Sequence, residues 1–270
     1  MLLRTIAGLS LLLTGLIYAL SGLALWLLPV LYIGWYLALL LLAFLILWTF
    51  SIFVDMDKPQ EEDSRLYRTV MYLYVEALIS LVGLKMETAG LEKTPREGRF
   101  LLVCNHLNES DPGILLHYFK NSQMAFISKR ENRDMLIVGP FMHKTLCQLV
   151  NRENDREALK TILKCIQLIK EDKVSVGVFP EGGILVKDKL SHFRSGVLKI
   201  AQKTGVPIVV CTLKGTSDLF HNMKRLKPTH VRLHLVDVIS AEEAAAANTV
   251  ELGDKIYQMM LSSLGPEYAP

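Results

Sequence analysis

Two short stretches of this chain carry residue types that could do chemistry. The first is His106-Leu107-Asn108-Glu109-Ser110-Asp111, which follows an apolar run from Phe100 to Cys104. Asp111 is a helix-capping residue type, and Pro112 suits the first helical position, where its missing N–H has no partner to lose. A strand ending near His106 and a helix starting at Asp111 leave four residues for a tight loop. Such a loop can turn the carboxylate back toward the imidazole, fix its tautomer and prepare it as a general base. Taken alone, the spacing is equally that of a capped helix beside a partly buried histidine.

The second stretch is Val174-Ser175-Val176-Gly177-Val178-Phe179-Pro180-Glu181-Gly182-Gly183. It reads as a strand stopped by Pro180 and a glycine pair, whose backbone N–H groups could approach a carbonyl or anionic oxygen. Glu181 then stands outside the carboxyl end of its strand, where sites form in open α/β sheets and where His106 is also expected. Without His106, the same residues describe a surface turn with a solvated carboxylate. Lys187, Lys189, His192 and Arg194 follow the turn, and Lys129, Arg130, Arg133, Lys144 and Arg152 precede it. One or two of these lining a cleft would suit a phosphate, a bidentate arginine best. No Gly-x-Ser-x-Gly elbow, Walker-type loop or Gly-x-Gly-x-x-Gly fingerprint occurs. His106, Asp111 and Glu181 lack an obvious fourth partner for a metal, so no metal site is expected.

The elements that must position these residues begin at Lys85, where short apolar runs alternate with helical patterns. Strands are expected at Phe100–Cys104, Met124–Ser128, Cys147–Asn151, Val174–Phe179, Pro207–Leu213 and Val231–Val238. Several are apolar throughout, which suits strands buried on both faces. The expectation is therefore an α/β fold, a mostly parallel mixed sheet flanked by helices. The clearest helix runs from Asp155 to Lys170, with Asn154 as cap and Glu157 placed as in a capping box. Others are expected at Ser195–Thr204, ended by Gly205, and at Val250–Leu264, ended by Gly265.

Ahead of this domain the composition changes. Arg4 is the only charged side chain before Asp55, so residues 5–54 form an uncharged block. One straight helix of that length would reach about 75 Å, more than twice a bilayer's hydrocarbon core of about 30 Å. Two helices fit, and Pro29 is the expected break. Trp26, Tyr32, Trp35 and Tyr36 flank that break as interfacial aromatics would, with Trp48 and Phe50 near the opposite end. The block therefore reads as a two-helix transmembrane hairpin over residues 1–57. A cleaved signal peptide is the competing reading, although the second apolar block would still anchor the product. Residues 58–84 follow as a polar linker and an amphipathic helix from Leu66 to Leu84, read as interfacial in preference to a third crossing. Residues 85–270 form the α/β domain.

After residue 54, 29 Lys and Arg face 27 Asp and Glu, and no basic run is interleaved with stacking aromatics. Nucleic acid is thus not expected as a partner. Cys104, Cys147, Cys165 and Cys211 show no close pairing or metal-ligand spacing and read as buried free thiols in a reducing compartment. A domain on the cytoplasmic face of the membrane follows.

Together, Asn105-His106-Leu107-Asn108-Glu109-Ser110-Asp111 and Phe179-Pro180-Glu181-Gly182 resemble the His-x-x-x-x-Asp and Phe-Pro-Glu-Gly blocks of the glycerolipid acyltransferase family, above all the 1-acyl-glycerol-3-phosphate acyltransferases. Leu149-Val150-Asn151-Arg152, Phe193-Arg194-Ser195-Gly196 and Val206-Pro207-Ile208-Val209 resemble weaker blocks of the same family in the same order. The likeness runs from about Leu84 to Val236. One departure stands out. Many members continue Phe-Pro-Glu-Gly with Thr-Arg-Ser, whereas this chain reads Gly183-Ile184-Leu185. The family's arginine position is therefore Ile184, and Arg152, Lys187 and Arg194, in that order, become the candidates for holding a phosphate.

The resemblance implies a membrane-bound O-acyltransferase of phospholipid biosynthesis with no cofactor. It would move a fatty acyl group from a thioester, acyl-CoA or acyl carrier protein, to the sn-2 hydroxyl of a lysophospholipid and release phosphatidic acid. His106 would be the base and Asp111 its orienter. Glu181 would position the glycerol portion, and Gly182 and Gly183 would offer oxyanion donors. The same chemistry on glycerol 3-phosphate or another lysophospholipid is the alternative within enzymes. A membrane scaffold that binds lipid without turnover is the alternative outside them.

Overall fold

The structure, a computed structural model, describes residues 1–151 and 153–270. Two apolar helices open the chain, α1 (Leu2–Ser21) and α2 (Leu28–Ile52), followed by α3 (Arg65–Leu81). The remainder alternates as β1 (Leu84–Ala89), β2 (Leu101–Cys104), α4 (Asp111–Tyr118), β3 (Met124–Lys129), α5 (Val138–Lys144), β4 (Gln148–Val150), α6 (Asp155–Lys170) and β5 (Ser175–Val178). It ends with α7 (Lys199–Thr204), β6 (Ile208–Lys214), α8 (Leu219–Lys224), β7 (Thr229–Ile239), α9 (Ala241–Ala246) and α10 (Thr249–Leu264).

Seven strands form one sheet in the order β1-β7-β6-β2-β5-β3-β4. Five run parallel, while β7 pairs antiparallel with β6 and carries β1 alongside in its own direction. The sheet is thus mixed and mostly parallel, as the apolar runs imply. Each of the six expected strands is present within about two residues of its sequence bounds. The edge strand β1 was not expected. The helix assigned to Leu66–Leu84 stops at Leu81, and Leu84-Lys85-Met86-Glu87-Thr88-Ala89 pairs with β7 from Thr229 to His234. Along β1, Lys85, Glu87 and Thr88 are exposed, while Leu84, Met86 and Ala89 are half-buried.

Strands β2, β5 and β6 supply the middle of two apolar layers. On one face Leu101, Val103, Val176, Val178, Ile208 and Val210 pack under α6, α7 and α10. On the other, Phe100, Leu102, Cys104, Val209 and Cys211 pack with Ile114 and Leu115 of α4. All four cysteines are free, and burial pushes the Cys165 thiol up to about 12. Asn154 caps α6 as expected, its side chain accepting from the N–H groups of Arg156 and Glu157.

The hairpin breaks earlier than Pro29. Gly22 ends α1 in the left-handed conformation, and Pro29 lies in the first turn of α2, starting the second helix instead of stopping the first. Both helices are long and apolar enough to cross a membrane. Helix α2 lies antiparallel to α3, whose Tyr67 and Tyr74 hydroxyls donate to the Phe50 and Ala43 carbonyls at 3.0 and 2.6 Å. The Met1 ammonium pairs with Glu76 near the far end of α3. Arg68 fastens α3 to the sheet. It is buried, bonds Asp63 with two nitrogens, and donates to the carbonyls of Met124 and Thr145.

Candidate active site

Strand β2 connects past β5 to β3 through α4 on one face of the sheet, and β5 connects past β2 to β6 through α7 on the other, so the loops leaving these neighbouring strands part to opposite faces. Crevices of this kind, outside the carboxyl ends of adjacent strands, are where open α/β sheets place their sites. The β2/β5 register pairs Leu101 with Val176 and Val103 with Val178. Continued past the strand ends, it sets His106 opposite Glu181. That contact exists: the Glu181 Oε1 atom accepts the His106 backbone N–H at 2.8 Å.

The loop from His106 is held by one carboxylate. Asp111 Oδ2 accepts the N–H groups of Leu107 and Asn108 at 2.7 and 2.8 Å and lies 3.0 Å from His106 Nδ1. Asp111 is fully buried, while the histidine side chain keeps 15% exposure. The expected cap is displaced by one residue: Ser110 occupies that position, and Asp111 begins α4 with its side chain turned back on the loop. A carboxylate accepting two backbone N–H groups is fixed in direction, so it selects the tautomer with the proton on Nδ1. Nε2 is then an acceptor with a lone pair available to a hydroxyl. The other carboxylate oxygen, Oδ1, is buried without a hydrogen-bond partner among the described residues.

Four further residues, to which the sequence analysis gave no role, hold this geometry. The Phe179 ring stacks on the His106 ring with centroids 4.2 Å apart, and Phe126 stacks on Phe179 at 5.8 Å. Gly177 makes room for that column, because a Cβ there would lie 2.3 Å from Phe126 Cε1. Asn105 ties β2 to β6, donating to the Leu213 carbonyl at 2.9 Å and accepting the Leu213 N–H at 2.8 Å. Phe179 and Asn105 stand inside the two motifs, so their positions gave some signal. Phe126 gave none.

The second segment differs in detail from expectation. Glu181 is 3% exposed, and its second oxygen accepts the Ser191 N–H at 2.8 Å. Burial raises its carboxyl above the ordinary range, against the pull of the N–H groups of Ser191 and His106. Both oxygens thus hold protein loops instead of facing the glycerol portion of a substrate. Gly182 adopts φ +77°, and its N–H donates within the turn to the Phe179 carbonyl at 3.0 Å, which removes it as an oxyanion donor. The buried Gly183 comes next in the chain. Arg194 lies over Gly182, with Nε 3.2 Å from the place a Cβ would occupy, and its guanidinium is exposed. Lys187 reaches sideways to Asp218 at 2.7 Å. Arg152 lies outside the described residues. The structure therefore gathers His106, Asp111, Glu181, Gly182, Gly183 and Arg194, while Lys187 is paired at the rim. A cleft of about 600 Å³ lies elsewhere, between β7 and α10 at His234 and Ser263.

Comparison with known proteins gives a consistent family. Residues 85–214 match the family model described as Acyltransferase. A probable 1-acyl-sn-glycerol-3-phosphate acyltransferase of Mycoplasma pneumoniae is 29% identical over 178 residues, covering 64% of this chain and 64% of that protein. The 1-acyl-sn-glycerol-3-phosphate acyltransferase of Borreliella burgdorferi is 28% identical over 196 residues, covering 70% and 76%. One from Chlamydomonas reinhardtii is 32% identical over 186 residues, covering 68% and 54%. The alignment thus spans just under two thirds of the Mycoplasma protein and about half of the algal one. The crystal structure of the 1-acyl-sn-glycerophosphate acyltransferase of Thermotoga maritima superposes with a TM-score of 0.61 at 21% identity, over 73% of this chain and 79% of that one. The family match begins within β1 and ends with β6, enclosing both loops that meet at His106, and over that domain the chain is similar to the acyltransferase family.

Proposed function

We propose that the protein transfers a fatty acyl group from a thioester to the sn-2 hydroxyl of 1-acyl-glycerol-3-phosphate, forming phosphatidic acid. The observation that carries this reading is the His106 imidazole, fixed through Nδ1 by a buried Asp111 while its ring keeps partial access. An alcohol is a weak nucleophile at neutral pH. His106 Nε2 takes the hydroxyl proton as the oxygen attacks the thioester carbonyl, and Asp111 stabilises the imidazolium that forms. The tetrahedral adduct then expels the thiolate, which recovers that proton from His106 and leaves as the free thiol. No enzyme-bound acyl intermediate is needed. Gly183 N–H is the oxyanion donor in this scheme. Arg194, exposed above Gly182, takes the acceptor phosphate in the place that Ile184 leaves without an arginine. Glu181 acts through His106, by holding its backbone.

The names of the relatives support this acceptor, and the donor is a thioester of coenzyme A or of acyl carrier protein. The hairpin anchors the domain in the bilayer that holds both the lysophospholipid and the product, and the free cysteines suit a cytoplasmic face. The test is a thiol-release assay on the full chain, offering lysophosphatidate and glycerol 3-phosphate with each donor in turn. Lysophosphatidate should be the preferred acceptor. His106→Ala should lower turnover by about 10²- to 10⁴-fold, and a variant that keeps most of its rate would remove His106 from the base role.

A further inference from the structure

The loop that leaves Glu181 carries an unusual surface. Its ends are closed beside His106, by Glu181 accepting from Ser191 and by the Arg194 N–H donating to the Pro180 carbonyl at 2.8 Å. Between them Ile184, Leu185 and Val186 are exposed, Leu185 at 66%. The loop is fixed sideways to the turn before α8, through Lys187 to Asp218 and Ser217 to Asp188 at 2.7 and 2.6 Å. Helix α8 continues the ridge with exposed Phe220 and Met223 one turn apart, and Leu226 just beyond it is 95% exposed. From Leu219 to Lys227 there are three basic residues, Lys224, Arg225 and Lys227, and no acidic one. A contiguous apolar patch rimmed by charge is uncommon on a soluble surface and marks a contact.

The hairpin shows which way this ridge faces. Helix α3 starts at the opposite edge of the sheet, where Arg68 meets Met124. It ends at the edge carrying His106, where the Thr229 N–H donates to the Gly83 carbonyl at 3.3 Å. Beyond the level of Tyr74, α3 has only seven residues left, about 10 Å, whereas α2 from Leu42 back to Leu28 has fifteen, about 22 Å. The tip of the hairpin therefore projects past the edge on which the ridge lies. A membrane entered by that tip meets the ridge face on.

We propose that the Ile184–Val186 loop and the α8–Leu226 ridge form a second membrane contact, which dips into an anionic phospholipid leaflet beside His106. The apolar side chains enter the interface, and Lys224, Arg225 and Lys227 lie against acidic headgroups. The inference rests on the membrane-anchor role given to the hairpin above.

The test uses the full chain in vesicles, with a spin label introduced singly by Leu185→Cys, Leu226→Cys, Glu97→Cys at the opposite edge of the sheet, and Leu37→Cys on the hairpin. On phosphatidylcholine vesicles containing phosphatidylglycerol, labels at 185 and 226 should lose severalfold in collision with a polar nickel chelate and gain in collision with oxygen. The label at 97 should not change. Combining Lys224→Glu, Arg225→Glu and Lys227→Glu should restore chelate access at 185 and 226 while position 37 stays shielded. Labels at 185 and 226 as open as the one at 97, with 37 shielded, would overturn the second contact alone. An open label at 37 would overturn the anchor and this contact with it. Shielding produced by acyl carrier protein without vesicles would reassign the ridge to a protein partner.

Discussion

At the scale of single residues, the two carboxylates around His106 do different work. Asp111 orients the ring, and its Oδ2 atom serves three donors at once. Asp111→Asn puts an amide where that carboxylate stood and can present the wrong tautomer. Its turnover in the thiol-release assay is expected to fall by up to about 10⁴-fold, the loss seen when the orienting carboxylate of a histidine triad is amidated. Glu181 instead joins two backbones, and burial raises its carboxyl. A carboxyl with a higher pKa folded than unfolded contributes stability that is complete below its unfolded pKa. That contribution is lost as pH rises through the raised folded value. The stability advantage of the native chain over Glu181→Gln, followed by melting at a series of pH values, should therefore be largest in acid and shrink across that window. An advantage that grows with pH would contradict the assigned burial effect.

At the scale of elements, the site depends on how β5 meets β2 and β3. Gly177 pairs with Leu102 on one side and with Phe126 on the other, and the Phe126 ring lies over it. Gly177→Ala drives that ring toward Phe179 and so toward the imidazole. Such overpacking costs about 1–3 kcal/mol. Chemical denaturation should register that loss, and kcat should fall while KM changes little. Gly113→Ala on α4, where a Cβ would meet nothing within 4 Å, is the neutral comparison. Equal effects at both positions would remove the aromatic column from the account of His106 placement.

At the scale of the whole molecule, α3 is the strut between the apolar hairpin and the sheet, and Arg68 is its fastening. Breaking a buried ion pair by removing one partner costs about 3–5 kcal/mol, because the other charge stays buried and unpaired. Arg68→Ala should show a loss of that size in the unfolding of the detergent-solubilised chain. Arg68→Met combined with Asp63→Leu should recover part of it. If the single and double replacements were equally destabilised, the pair would not be what couples the hairpin to the domain.

Much of this molecule is legible in its residues. Short apolar runs marked six of the seven strands, a period of 3.6 with Asn154 as cap marked α6, and an uncharged block of fifty residues marked the hairpin. The chemical types at His106, Asp111 and Glu181 were equally plain, because local rules act over four or five residues and the motifs are that short. Tertiary structure decided the rest. The β2/β5 register joined segments 75 residues apart, turned Glu181 from a substrate contact into a support, and took the Gly182 N–H into a turn. It also paired β1 with the reversed β7 and sent Lys187 to Asp218. A residue's type sets which bonds it can make, but its partner is chosen by whichever group the packed sheet brings within about 3 Å. For His106 the sequence offered a candidate base and, in Asp111, a candidate orienter, and the packed sheet supplied the ring, backbone and loop contacts that aim the imidazole.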